Sequence, residues 1–182
     1  MLYVILVIMP FTPFHLGLGG VAGGYTSSWF SFRAFCFANV LLDMEAIYRI
    51  PFGLYPIHDW LHTFIVGTFL PLLLWFPIGK PFCLFISRWW NKLAVGTFLE
   101  KVHIPSSISV FPATLALIFG GLSHVFLDSI MHSDIAPLRP FSYSNPFFML
   151  ISIRSLHWIL TAGGILGISL VLYRCRNKTD LG

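Results

Sequence analysis

The sequence predicts an all-α fold: a polytopic integral membrane helical bundle with about four to five membrane helices plus a short interfacial helix. Three observations predict it. Of 182 residues, 57% are hydrophobic and only 10% are charged, where a soluble domain carries about 25% charged residues. Mean hydropathy is +0.81. Long apolar runs end in Lys and Arg, the residues that set orientation across a bilayer. The chain reads as one membrane-embedded domain over 1–182, with an N-terminal extension of unassigned role over 1–13 and a basic cytoplasmic tail over 174–182.

The first helix is expected from about His15 to Tyr25. Gly19/Gly23 and Gly20/Gly24 there have the small-xxx-small spacing that lets helices approach closely in lipid. A second helix is expected from about Trp29 to Glu45, and a third from about His58 to Ile78, with Pro71 predicting a kink. The stretch Pro81 to Leu93, carrying Arg88, Trp89, Trp90 and Lys92, reads as an interfacial amphipathic helix. The fourth core helix spans about Ser107 to His132, and the last about Pro146 to Tyr173, with Gly163/Gly167 as another close-packing pair. Residues Met1 to Pro10 lack a basic n-region and a cleavage site, so a signal peptide is not expected, and they are too short to span. The net charge of +4 is scattered over segment ends, which argues against a nucleic-acid partner. Cys36, Cys83 and Cys175 form no CxxC pair, so neither a disulfide framework nor a thiolate zinc site is indicated.

The segment His124-Val-Phe-Leu-Asp128-Ser-Ile-Met-His132 ends the uncharged run Ile108–Leu122. Positions i, i+4 and i+8 advance about 40° per step, so His124, Asp128 and His132 share one face of a continuous helix. Ionisable groups at the edge of hydrocarbon are costly, and a functional site is their default explanation. His58-Asp-Trp-Leu-His62 is a second i, i+4 pair, suited to gripping one ion from a single turn. Asp43 and Glu45 close the second helix, and His15 opens the first. With alternating helix direction, all these groups fall at one side of the membrane. Seven candidate ligands (His15, Asp43, His58, His62, His124, Asp128 and His132) exceed the three or four one zinc needs, so one or two ions are expected.

Glu45 is the candidate general base, or else a ligand; Asp128 is both ligand and candidate catalytic group. Arg154, expected about two turns into the last helix, is a candidate for binding an anionic headgroup or for a salt bridge to Asp43, Glu45 or Asp128. Arg139, in the loop Pro137-Leu-Arg-Pro-Phe-Ser142, is a further substrate candidate. Asp59 reads as interfacial, His157 as packing and His103 as exposed. Lys80, Arg88, Lys92, Lys101, Arg33, Arg174, Arg176 and Lys178 all fall at the opposite end and only Arg49, Arg139 and Arg154 on the site side, so by the positive-inside rule the site is expected to face the periplasm or cell exterior, with a bacterial inner membrane as the expected location.

Together these residues resemble the YdjM-type family of membrane-bound, metal-dependent hydrolases. The likeness runs from Met9-Pro-Phe-Thr-Pro-Phe-His15 to the Pro140-Phe-Ser142 loop. An early His before a Gly-rich helix is matched by His15 to Gly24. An acidic D-x-D step is matched by Asp43 and, with a change of residue, Glu45. An H-R-x-x-x-H-S-like step is met by His58 and His62 with Asp59 in place of Arg, and an H-x-x-x-D step by His124 and Asp128. The resemblance implies a metal-dependent hydrolase. The expected activity is cleavage of a lipid-linked ester, most simply a phosphoester, by metal-activated water at the outer interface. Zinc is the expected metal and a membrane lipid or lipid-linked molecule the expected partner. A lipid amidase on the same site and a non-catalytic, metal-stapled membrane protein are the rival readings. A transporter would need polar residues continuing to the other face, and the basic-side halves of these helices offer none.

Overall fold

A computed structural model describes residues 15–22 and 28–179 of the chain, all of whose regular structure is helical. There are five helices among the described residues: α1 Leu16–Ala22, α2 Phe32–Arg49, α3 Phe64–Ala94, α4 Val110–Met131 and α5 Ile153–Thr179. Three of them are long and apolar enough to cross a membrane: α3, α4 and Ile153–Leu170 of α5. Gly23, Gly24 and Tyr25 of the expected first helix lie outside the described residues.

The 31 residues of α3 combine the expected third helix and the expected interfacial helix into one rod. At 1.5 Å per residue it is about 46 Å long, against a hydrocarbon core of about 30 Å. It is thus longer than that layer is thick, and its last turns, with Arg88, Trp89, Trp90 and Lys92, are amphipathic. Helical bonding passes through Pro71 and widens into a π segment at Trp75–Gly79. That segment contains Pro77, whose missing N–H leaves a carbonyl one turn back without its donor.

α4 is the centre of the bundle, packed on α2 along one flank and on the first half of α3 along another, while α1 lies along α5. Small residues make both approaches possible. A Cβ at Gly121 of α4 would collide with the Gly67 carbonyl of α3. Gly20 and Gly167 bring the α1 and α5 backbones together in the same way, and a Cβ on Gly17 would strike the Leu160 carbonyl. The core between α2, α3 and α4 contains Phe30, Phe35, Ala38, Trp75, Ala113 and Leu117. Phe69, Leu73, Phe82, Phe85, Trp158 and Ile165 stay exposed on the outer faces, as lipid-facing side chains should.

At one end Arg33 fastens the bundle. Its guanidinium donates to Ser87 Oγ at 2.9 Å, to the Pro105 carbonyl at 2.7 Å and to the Ser107 carbonyl at 2.6 Å. The start of α2, the end of α3 and the start of α4 therefore lie together. The other ends of these helices, with the starts of α1 and α5, carry His15, Asp43, His62 and His124.

Two helix starts differ most from expectation. α5 begins at Ile153 rather than near Pro146, because the preceding segment is used to close the end of α4. Asn145 Nδ2 donates to the Ser129 and His132 carbonyls, and the Met149 amide donates to the Ile130 carbonyl. Thr63 caps the start of α3 by accepting from the Val66 amide, so His58 precedes the helix by six residues instead of opening it (His58, Phe64).

Candidate metal centre

Two separate groups of metal-type ligands form at this end. The first comprises Asp43, His62, His124 and Asp128, whose donor atoms all lie within 4.8 Å of one another. Asp43 comes from the penultimate turn of α2, His62 from a short 3₁₀ turn (Trp60–His62) before α3, and His124 with Asp128 from consecutive turns of α4. His62, His124 and Asp128 are buried, whereas the Asp43 side chain keeps 21% exposure.

Hydrogen bonds on the far sides of the imidazoles settle which nitrogen faces inward. His124 Nδ1 meets Asn39 Oδ1 at 3.1 Å, and Asn39 uses its own Nδ2 on the Phe35 carbonyl. An amide oxygen only accepts, so Nδ1 carries the proton, and Nε2 is the nitrogen that faces the cluster and presents a lone pair when the ring is neutral. His62 Nδ1 donates to Glu45 Oε2 at 2.9 Å, which frees His62 Nε2 in the same way. The inward atoms then stand 3.4 Å apart (His62 Nε2 to His124 Nε2), 3.3 Å (His62 Nε2 to Asp128 Oδ2), 3.2 Å (His124 Nε2 to Asp128 Oδ2) and 3.4 Å (His124 Nε2 to Asp43 Oδ1). Ligands on one tetrahedral zinc, each bonded at 2.0–2.1 Å, are separated by about 3.3–3.4 Å. Charge-assisted N–H···O bonds are shorter, at about 2.7–2.9 Å. The four separations given match the first spacing and exceed the second, and a divalent cation fits among these donors.

Glu45 is placed differently from Asp43 two residues earlier. Both its oxygens are engaged, by His62 Nδ1 and by the Asp59 and Leu61 amides at 2.8 and 3.3 Å. This is the position of a carboxylate that orients a ligand, not of one facing the ion. The Asp128 carboxylate bridges, with Oδ2 in the cluster and Oδ1 3.1 Å from His15 Nε2. His15 thus contacts the centre through Asp128 and packs its ring on His124 at 4.5 Å. Burial alone would lower the pKa of His62, but the Asp128 and Glu45 carboxylates outweigh it and raise the value above the usual 6.5.

The second group is His58, His132 and Asp134. α4 stops at Met131, and His132 takes extended backbone (φ −117°, ψ 121°), so it leaves the face it was expected to share with His124 and Asp128. His58 and His62 likewise serve different groups, although their rings touch edge to face at 4.7 Å. Asp134 Oδ2 accepts from the Ile57 and His58 amides at 2.8 and 3.1 Å. Hydrogen bonds from His58, with those amides, hold the Asp134 pKa well below the ordinary carboxylate value despite its partial burial. Burial lowers the pKa of His132 to about 4.

The arginine candidates lie outside both groups. Arg139 pairs with Asp59, which also receives Arg49 at 3.2 Å, and its guanidinium stacks near Trp60 and Tyr143. Asp59 is therefore the shared anion of an ion cluster rather than a plain interfacial residue. Arg154 sits exposed in the first turn of α5 and makes no ion pair among the described residues, because the later helix start moves it away from the expected carboxylates. His103 is exposed at the opposite end. Asn39 and Asp134 were not among the candidates. Asn39 had a signal, lying one helical turn before Asp43; Asp134 had none beyond proximity to His132.

Fold and site together define a class: a helical, multi-pass membrane protein with a buried histidine–aspartate cluster of metal-binding type. Within it the chain belongs to the DUF4184 family, a domain of unknown function whose model matches residues 9–181. That match shows no link to the YdjM-type hydrolases. No curated protein and no solved structure matches the chain.

Proposed function

We propose that this protein is an integral membrane hydrolase that uses a divalent cation, zinc in the first instance, to cleave a lipid-linked phosphoester at the outer face of the membrane. The observation that carries the reading is the convergence of four lone-pair donors, Asp43 Oδ1, His62 Nε2, His124 Nε2 and Asp128 Oδ2, at the headgroup end of a membrane bundle. The motif resemblance to YdjM-type hydrolases supports the same chemistry. When bound, such an ion lowers the pKa of water and polarises a phosphoryl oxygen.

The chain's own residues divide the remaining work. Asn39 and Glu45 fix the imidazole tautomers, and Asp128 ties His15 to the centre. Asp43 is the most exposed of the four ligands and the one best placed to yield to substrate. Arg49 and Arg139 share a single carboxylate, leaving net positive charge for an anionic headgroup, and exposed Trp60 and Tyr143 flank the Arg139 guanidinium, aromatic residues of the kind that meet lipid headgroups. Arg154, exposed at the same end, is a second anion-binding candidate. Basic residues at the opposite end orient the site outward.

One observation favours a second reading, a non-catalytic metal staple. Four protein donors can close a tetrahedral site, as in structural zinc centres, whereas catalytic centres keep a position open. Zinc-loaded protein in mixed micelles with extracted membrane lipid separates the two. Hydrolysis predicts a water-soluble phosphoester by phosphorus-31 NMR, abolished by chelation and by Asp128→Asn. No release by loaded wild type, with unfolding on chelation, would overturn the hydrolase and favour the staple. Release of fatty acid without a phosphoester would instead indicate the amidase.

A further inference from the structure

We propose that His58, His132 and Asp134 form a second divalent-cation site, separate from the four-residue centre, with an open position that takes an oxyanion. Its three donor atoms lie within 4.8 Å of one another. They come from three places: the loop before the 3₁₀ turn, the residue that ends α4, and the turn after it. Nothing about helical periodicity brings them together, so the cluster is a product of the tertiary fold.

The His58–Asp134 spacing admits coordination of an ion as well as a long hydrogen bond. His58 Nδ1 stands 3.2 Å from Asp134 Oδ1 and 3.3 Å from Oδ2, roughly the spacing of two ligands on one zinc-class ion. The neighbouring His62–Glu45 contact, where the carboxylate only orients the ring, closes to 2.9 Å. Asp134 is also held in place independently of His58's ring, because the Ile57 and His58 amides bind its Oδ2 and leave Oδ1 available. His132 brings its ring to 4.2 Å from that of His58. A third donor is thereby supplied without any helix holding it.

Three protein ligands leave a tetrahedral ion one vacancy, the arrangement of sites that bind exogenous groups. All three residues line a cleft of about 260 Å³ whose other walls are Tyr55, Ile57, Met131, Ser133 and Phe148. An ion on its floor would meet an oxyanion from the cleft, and the apolar walls suit a ligand with a phosphate next to a hydrophobic body. This site stands whether or not hydrolysis occurs at the first.

Zinc stoichiometry of the full chain in detergent tests the assignment directly, by equilibrium dialysis and mass spectrometry. Wild type is expected to hold two equivalents. His132→Ala should retain one, and His124→Ala with Asp128→Ala should also retain one, held by the second group. His132→Gln, which keeps bulk and polarity, and Asp134→Asn, which keeps an acceptor for both amides, guard against misfolding and should each retain one. Inorganic phosphate should bind zinc-loaded wild type at least tenfold more tightly than either His132 variant. A single equivalent in wild type, untouched by the His132 and Asp134 changes, would overturn the second site and leave the first intact. Two equivalents with equal phosphate affinity in wild type and His132→Gln would overturn the open position.

Discussion

The proton on Nδ1 of His124 is set by one uncharged residue, Asn39, and that of His62 by Glu45. Orienting partners of metal-bound histidines are worth about 10–100-fold in metal affinity. Glu45→Gln is therefore expected to weaken zinc binding about 10–100-fold in chelator competition, and Asn39→Leu to do the same. A general base with no orienting role would leave affinity unchanged on Glu45→Gln. A pH dependence follows at His132. Its folded value of about 4 lies below its ordinary 6.5, so the unfolded chain takes up protons first as pH falls. Stability is thus present above 6.5 and lost through the window from 6.5 to 4, and Asp134, also depressed, adds loss below its ordinary 3.8. His62, whose value is raised, acts with the opposite sign over the same range, so the comparison is between proteins: in chelator-treated samples the thermal midpoint of wild type relative to His132→Gln should fall between pH 7 and 5. Most ligands could be picked out from sequence because buried charge in an apolar chain is conspicuous. Asn39 carries no charge, and Asp134 lies past the helix end where spacing says nothing, so neither stood out.

Helix α4 carries two ligands one turn apart, and their setting depends on how closely α3 approaches. Gly121 has no room for a Cβ beside the Gly67 carbonyl. Gly121→Leu should destabilise at or above the upper end of the about 1–3 kcal/mol typical of overpacking, read as a lowered thermal midpoint in detergent. Leu122→Ala next to it, at a 40% exposed position, should change little. The helices themselves were legible from apolar runs, but their ends were not. Spacing along a helix applies only while the helix continues, and at His132 the chain instead turns to meet His58, while Asn145 takes the Ser129 and His132 carbonyls. At Thr63 a capping hydroxyl starts α3 late and parts His58 from His62. The expected interfacial helix merges into α3 because the chain between them, including Pro77, bends into a π segment instead of breaking.

Across the whole molecule, polar ligands gather at one end and most basic residues at the other, with Arg49, Arg139 and Arg154 the exceptions, a division that sequence alone made visible through helix alternation. The proposed outward orientation predicts that a cysteine at Ser142, in a cysteine-free background, reacts with a membrane-impermeant maleimide on intact cells, whereas one at Ser106 reacts only after permeabilisation. The reverse pattern would place the site in the cytoplasm. The central claim is that Asp43, His62, His124 and Asp128 together hold a cation, and metal content tests it most directly. Zinc is measured in purified protein carrying His132→Ala, which silences the second group. One equivalent is expected, falling to none when His124→Ala and Asp128→Ala are added to a chain that still folds. Metal content unchanged by those two substitutions, or no zinc retained by the folded parent, would contradict it.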